Sequence, residues 1–90
     1  TKPFQILTMD ILGPLPLSED GFRYILIIIC HYTKWLELFA LINQEAKTIA
    51  VKLLDVICRH GVPEAILSDQ GKNFQAQLMQ ELYDLLDMHK

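Results

Sequence analysis

The stretch Gly61-Val62-Pro63-Glu64-Ala65-Ile66-Leu67-Ser68-Asp69-Gln70-Gly71 decides the fold. Gly61 and Pro63 stop whatever comes before them, because glycine accepts the backbone of a helix end and proline cannot continue a helix. Ala65 to Ser68 then reads as a short buried strand that ends on Asp69, with a turn at Gly71. Upstream, Asn43 to His60 carries a helical period. Ala46, Ile49, Ala50, Leu53, Leu54 and Ile57 form one stripe, and Lys47, Lys52, Asp55 and Arg59 take the outer surface. A helix that delivers the chain to a buried strand is a crossover, so the sheet should be mixed and the crossover right-handed. Downstream, Leu78, Leu82, Leu85 and Leu86 predict a final helix of about ten to twelve residues beginning near Gln75 to Gln77. Gln80, Glu81, Asp84 and Asp87 lie mostly on its other side.

Three strands precede the crossover. Phe4 to Leu12 is apolar with Asp10 inside it, and Gly13-Pro14-Leu15-Pro16 ends it, since two prolines cannot donate to a ladder. Ser18-Glu19-Asp20-Gly21 is a second turn. Phe22 to Cys30 is so uniformly apolar, and so rich in isoleucine, that it reads as a strand buried on both faces. After a turn at His31-Tyr32, Thr33 to Leu41 supplies a third strand in an antiparallel hairpin with the second. The order is β-β-β-α-β-α, an α/β fold whose mixed sheet carries helices on its faces.

Ninety residues allow one small domain, and a chain 51% hydrophobic and 21% charged folds rather than staying disordered. The apolar run Tyr24–Cys30 is far short of the roughly 20 residues of a membrane helix. Thr1-Lys2-Pro3-Phe4 leads straight into a strand and does not read as a signal peptide, so no membrane partner is expected. Cys30 and Cys58 are too far apart to pair as zinc ligands, and Cys58-Arg59-His60 is too cramped. Both read as reduced packing residues of an intracellular, reducing compartment. The net charge of −3, with eight scattered Lys and Arg, is awkward for binding nucleic acid, whose phosphates demand cations.

Asp10 and Asp69 are the candidate functional residues. Asp10 reads two ways: as an outward acid on a half-exposed strand, or as a carboxylate on a central strand that needs a cation to offset its burial. Asp69 before Gln70-Gly71 also reads two ways, since an aspartate there commonly bonds its own turn. Their joint placement raises the odds of a site if the Asp69 strand pairs beside the first, so that Asp10 reaches the same pocket. Open sheets put ligand-binding groups at the carboxyl ends of adjacent strands, and two facing carboxylates are reconciled by a divalent metal such as Mg²⁺.

Met9-Asp10-Ile11-Leu12-Gly13-Pro14-Leu15-Pro16, Tyr24-Ile25-Leu26, Thr33-Lys34-Trp35-Leu36-Glu37 and Gly61 to Phe74 occur in the order that resembles the integrase catalytic core of Ty3/gypsy-type retrotransposons and retroviruses. Ser68-Asp69-Gln70-Gly71-Lys72-Asn73-Phe74 is the most specific part. The resemblance implies an RNase H-like fold and a two-metal Mg²⁺ (or Mn²⁺) site built from two aspartates and a glutamate. Asp10 and Asp69 match the first two acids and serve as catalytic metal ligands. Asn73 matches a position that contacts DNA, flanked by Gln70 and Lys72, although Lys72 reads equally as a solvated surface charge. The implied activity is metal-dependent polynucleotidyl transfer, in which 3′ ends are processed and joined to target DNA. The implied partners are retroelement ends and target DNA, with the full-length protein a homo-oligomer working in the nucleus.

Residues 1–90 then form a partial core, truncated before the fifth strand and the helix that bears the glutamate, and inactive or nearly so alone. Missing that strand would leave a sheet edge and apolar surface exposed, which favours self-association. Glu81 sits on the helix right after Asp69 and is no substitute. His31 stands where many relatives carry an aspartate that is not a metal ligand, and Ala76 where a serine often caps the last helix. The rival reading is a non-catalytic, host-captured module that binds nucleic acid or protein and keeps both acids as relics. Trp35 and Tyr32 read as packing or hairpin residues, and His60 as a favourable partner for a helix end. His31 and His89 carry no legible role.

Overall fold

The computed structural model describes residues 6–16 and 19–88. Phe4, Gln5, Ser18 and His89, on which some expectations rest, lie outside the described residues. The order is β1 (Ile6–Leu12), β2 (Tyr24–Cys30), β3 (Leu36–Leu41), α1 (Ala46–His60), β4 (Ala65–Ser68) and α2 (Lys72–Met88). The strands form a four-stranded mixed sheet in the order β3-β2-β1-β4. β1 runs antiparallel to β2 and parallel to β4, and β2 and β3 form the expected hairpin.

One correction concerns the sheet faces. β2 is not buried on both sides: Leu26, Ile28 and Cys30 are buried, whereas Ile27 is half-buried and Ile29 exposed. The same alternation buries Leu7 and Met9 on β1 while Thr8 and Asp10 face the other way. On β3, Leu36, Leu38 and Ala40 are exposed. Both helices therefore pack on one face, not on two, and the core is Leu7, Met9, Leu26, Ile28, Cys30 and Leu41 against the α1 stripe and Leu78 and Leu82 of α2. β2 is apolar on both sides because its second face, although uncovered, is still isoleucine-rich. Periodicity cannot tell that from full burial.

Helix limits follow from their caps. α1 starts at Ala46, three residues later than the periodicity implied. The Asn43 side chain accepts the Glu45 N–H and holds the preceding turn. Its end is as expected: Gly61, at φ 101°, donates its N–H to the Ile57 carbonyl. α2 is longer than predicted and starts at Lys72, where the Gly71 carbonyl accepts the Gln75 N–H. Ala76 therefore lies inside the helix and not at its cap, so a serine there would not have capped it. The β2–β3 turn is also longer than His31-Tyr32. It runs to Lys34, at φ 61°, and closes with the Lys34 N–H on the Cys30 carbonyl.

The far end of α1 is tied to β3 by charge and by rings. Arg59 donates to Glu37 and, at 3.2 Å, to Asp55. The hydrogen bond to Glu37 pushes the Arg59 pKa up, and Asp55 adds to it. Glu37 lies on the covered face, and its second carboxylate oxygen is buried with no partner among the described residues. Trp35 packs half-buried against the core with its ring edge-on to His60, 4.5 Å between centroids, as a packing residue should. Cys30 is buried as expected, but Cys58 is exposed and lies outside the core.

One-sided burial sets an expected contrast. Leu26→Ala removes a fully buried side chain and should cost about 2–5 kcal/mol in urea unfolding. Leu38→Thr, on the open face, should stay within about 0.5 kcal/mol of the parent chain. Equal losses at the two positions would mean that both faces are covered. Arg59→Ala should lower the melting temperature more than Asp55→Ala, because only the first leaves the Glu37 carboxylate without its cation; equal effects in thermal melts would exclude that strut.

Candidate functional site

The β1–β4 register runs Ile6↔Ala65, Leu7↔Ile66, Thr8↔Leu67 and Met9↔Ser68. The next residue on each chain is an acid, Asp10 on β1 and Asp69 at the end of β4. Extending this register by one residue brings Asp10, the fifth residue of β1, opposite Asp69, the first residue of the turn after β4, near the carboxyl end of a parallel pair. That is where sheets of this class bind ligands. Asp10 shares the open face with Thr8.

Each acid has a local reason for its position. The Asp10 carboxylate accepts the Ile11 N–H at 2.9 Å, which orients it on the strand. Just beyond it, the chain leaves β1 through Gly13, at φ 139°. A Cβ there would come within 2.6 Å of the Tyr24 ring and 2.7 Å of the Arg23 carbonyl, so only glycine fits. Asp69 lies in the turn after β4, and that turn is closed by its neighbour: the Ser68 hydroxyl accepts the Gln70 N–H at 3.2 Å. Among the described residues no hydrogen bond or ion pair engages the Asp69 carboxylate, so it is not consumed by its own turn. Asp10 and Asp69 are both exposed. Of the two readings of Asp10, the outward acid holds and the carboxylate that needs a cation to offset burial falls, because the open face keeps it in water.

Gln70, Lys72 and Asn73 are exposed and fall within four residues of Asp69, Gln70 in the turn and the other two in the first turn of α2. This end of α2 carries no acidic residue, and its first N–H groups have no helical acceptors. An open groove of about 310 Å³ runs beside Asp69, lined by Ile66, Leu67, Ser68, Gly71, Lys72 and Gln75. Glu81 is elsewhere, in a separate groove with Glu45, which caps α1, Lys47 of α1 and Phe74 of α2. Among the described residues no three His, Cys, Asp or Glu side chains come together as a metal cluster, and no helix is long and apolar enough to cross a membrane.

Two residues that shape the site were not foreseen. Ser68 could have been, as a hydroxyl one residue before a turn. Gln75, whose side chain donates to the Ile66 carbonyl at 2.7 Å, could not, because nothing local marks a glutamine that reaches back nine residues.

The four-stranded mixed sheet with its two helices is the architecture of the N-terminal part of an RNase H-like α/β core. Residues 1–89 match the family model described as the integrase core domain, and the chain belongs to that family. It is 31% identical over 80 residues to the retrovirus-related Pol polyprotein from transposon 412 of Drosophila melanogaster, which covers 88% of this chain and 6% of that protein. It is 30% identical over 84 residues to the mouse Gypsy retrotransposon integrase-like protein 1, with 93% of this chain and 16% of the relative covered. The Gag-Pol polyprotein of walleye dermal sarcoma virus is 42% identical over 83 residues, 91% of this chain and 5% of its own length. The chain thus spans well under a fifth of each of these relatives.

If the two acids are a ligand pair and not structural residues, removing one should not weaken the metal-free fold. In EDTA, Asp10→Asn is expected to leave stability unchanged or to raise it by up to about 1 kcal/mol, since like charges side by side on neighbouring strands repel. A loss as large as that of Leu26→Ala in the same urea titration would mark Asp10 as structural.

Proposed function

We propose that Asp10 and Asp69 are two of the three acids of an integrase catalytic centre, and that the domain belongs to a protein that cuts and joins DNA strands by metal-dependent polynucleotidyl transfer. The observation that supports this reading is the β1–β4 register, whose extension by one residue brings Asp10 opposite Asp69, in a chain that matches the integrase core family. The donor set fits the group. Two exposed carboxylates, one of them without a protein partner among the described residues, suit a hard divalent cation that also keeps waters and takes phosphate oxygens. Asp10 and Asp69 would hold Mg²⁺ or Mn²⁺. When bound, the metal supplies activation of a water or a DNA 3′ hydroxyl and stabilisation of the leaving oxygen.

The chain's own residues do the rest. Lys72 and Asn73 offer a cation and an amide beside the acids, and with the free N–H groups of α2's first turn they receive a phosphate. Gln70 presents its amide from the turn between them. Two acids without a third make an incomplete shell, so residues 1–90 alone bind metal weakly and turn over little or no DNA. Retroelement ends and target DNA are the partners in the whole protein, which acts as a homo-oligomer in the nucleus. Because the net charge is −3, most of the affinity for DNA comes from outside these residues.

A second reading is favoured by that same charge and by the apolar open face: a host-captured module, kept for binding, in which the acids are relics. Strand transfer separates the two. In a parent protein that carries this domain, Mg²⁺- or Mn²⁺-dependent joining of a labelled DNA end should fall on the order of 10³-fold or more in Asp69→Asn. Activity unaffected by that substitution, or none in the parent, would leave the binding module as the answer.

A further inference from the structure

α2 is poorly held at its start by its own sequence. Its cap is a glycine, Gly71, and its first turn holds no acid to complement the helix dipole. β4, only four residues long, is an outer strand with a strand neighbour on one side alone. Between these two weak elements lies Asp69. Among the described residues one side-chain hydrogen bond joins them: Gln75, half-buried in the second turn of α2, donates its amide to the Ile66 carbonyl at 2.7 Å. With the Gln75 N–H on the Gly71 carbonyl at 3.0 Å and the Gln70 N–H on the Ser68 hydroxyl at 3.2 Å, residues 66–75 close into a loop with Asp69 near its middle.

We infer that Gln75 is a positioning residue for Asp69: its amide fixes where β4 ends relative to α2, and so holds the Asp69 carboxylate level with that of Asp10. It touches no substrate and acts only through the backbone. The consequence for metal rests on the functional reading above, whereas the positioning itself does not. Of the groups in the loop, Ser68 sets only the turn, while Gln75 sets the turn against the helix.

The test compares Gln75→Met, which keeps the stem and removes the donor, and Gln75→Ala with the parent chain. Gln80→Ala, which removes another α2 side-chain bond, the one to Asp84, is the control. In metal-free protein, amide hydrogen exchange at Leu67 to Gly71 should quicken about tenfold in both Gln75 variants and not in the control, with β1–β2 amides unchanged. Unchanged exchange at Leu67 to Gly71, or exchange that quickens equally across the whole sheet, would overturn the inference. Mn²⁺ affinity, read from paramagnetic broadening of the Asp10 and Asp69 amides, should fall about tenfold in Gln75→Met at a melting temperature matching that of the control. Undiminished Mn²⁺ affinity in Gln75→Met would also overturn it. If the parent chain itself shows no broadening that Asp69→Asn abolishes, the metal reading fails, and the exchange data still decide on Gln75.

Discussion

β1 is hydrogen-bonded along both edges, antiparallel to β2 and parallel to β4, and the rest of the molecule depends on that double pairing. The antiparallel side is local and comes with a nearby turn. The parallel side is not, because a parallel neighbour needs a crossover, and α1 exists to provide it. Once α1 must lie on the sheet, its stripe of Ile49, Leu53, Val56 and Ile57 needs a facing surface, and Leu7, Met9, Leu26 and Ile28 supply it. A one-residue slip of β4 would exchange the faces of its side chains and carry Asp69 out of line with Asp10. Core and site are therefore set by the same register.

The elements and their order could be read from residue patterns because each has a local cause: the helical stripe of α1, the Gly61 and Pro63 stop, the isoleucines of β2. The burial of the sheet could not. An exposed strand face made of Ile27, Ile29, Leu36 and Leu38 looks in sequence like a buried one, since pattern records polarity and not what lies opposite. The start of α2 was misplaced for a related reason. Lys72, Asn73 and Gln75 are polar, so the apolar period begins only after the helix is already under way, and a glycine cap leaves no side-chain signature.

The site was legible as residues and illegible as an environment. Motif order singled out Asp10, Asp69, Gln70, Lys72 and Asn73, and the fold gathers them at one end of the sheet. Sequence reasoning held open, beside an outward acid, the inference that Asp10 has a desolvation problem. That inference began from a β2 buried twice over; with one face open, Asp10 faces water and owes nothing to burial. Burial is thus no guide to this site. Geometry is the pointer instead.

This matters for what kind of site two exposed acids can be. A buried carboxylate pair is held by its surroundings and must be compensated; an exposed pair is held only by backbone register and the few bonds that fix the two strand ends. Asp10 has the Ile11 N–H and the steric stop at Gly13, where even a methyl group would strike Tyr24. Asp69 has less: a four-residue outer strand, a turn closed by Ser68, and a helix that begins on a glycine. Any cation bound between them must draw its affinity from how well those strand ends are already aligned, because water competes freely for both carboxylates. In such a site the alignment of the second acid limits affinity more than the charge of the pair does.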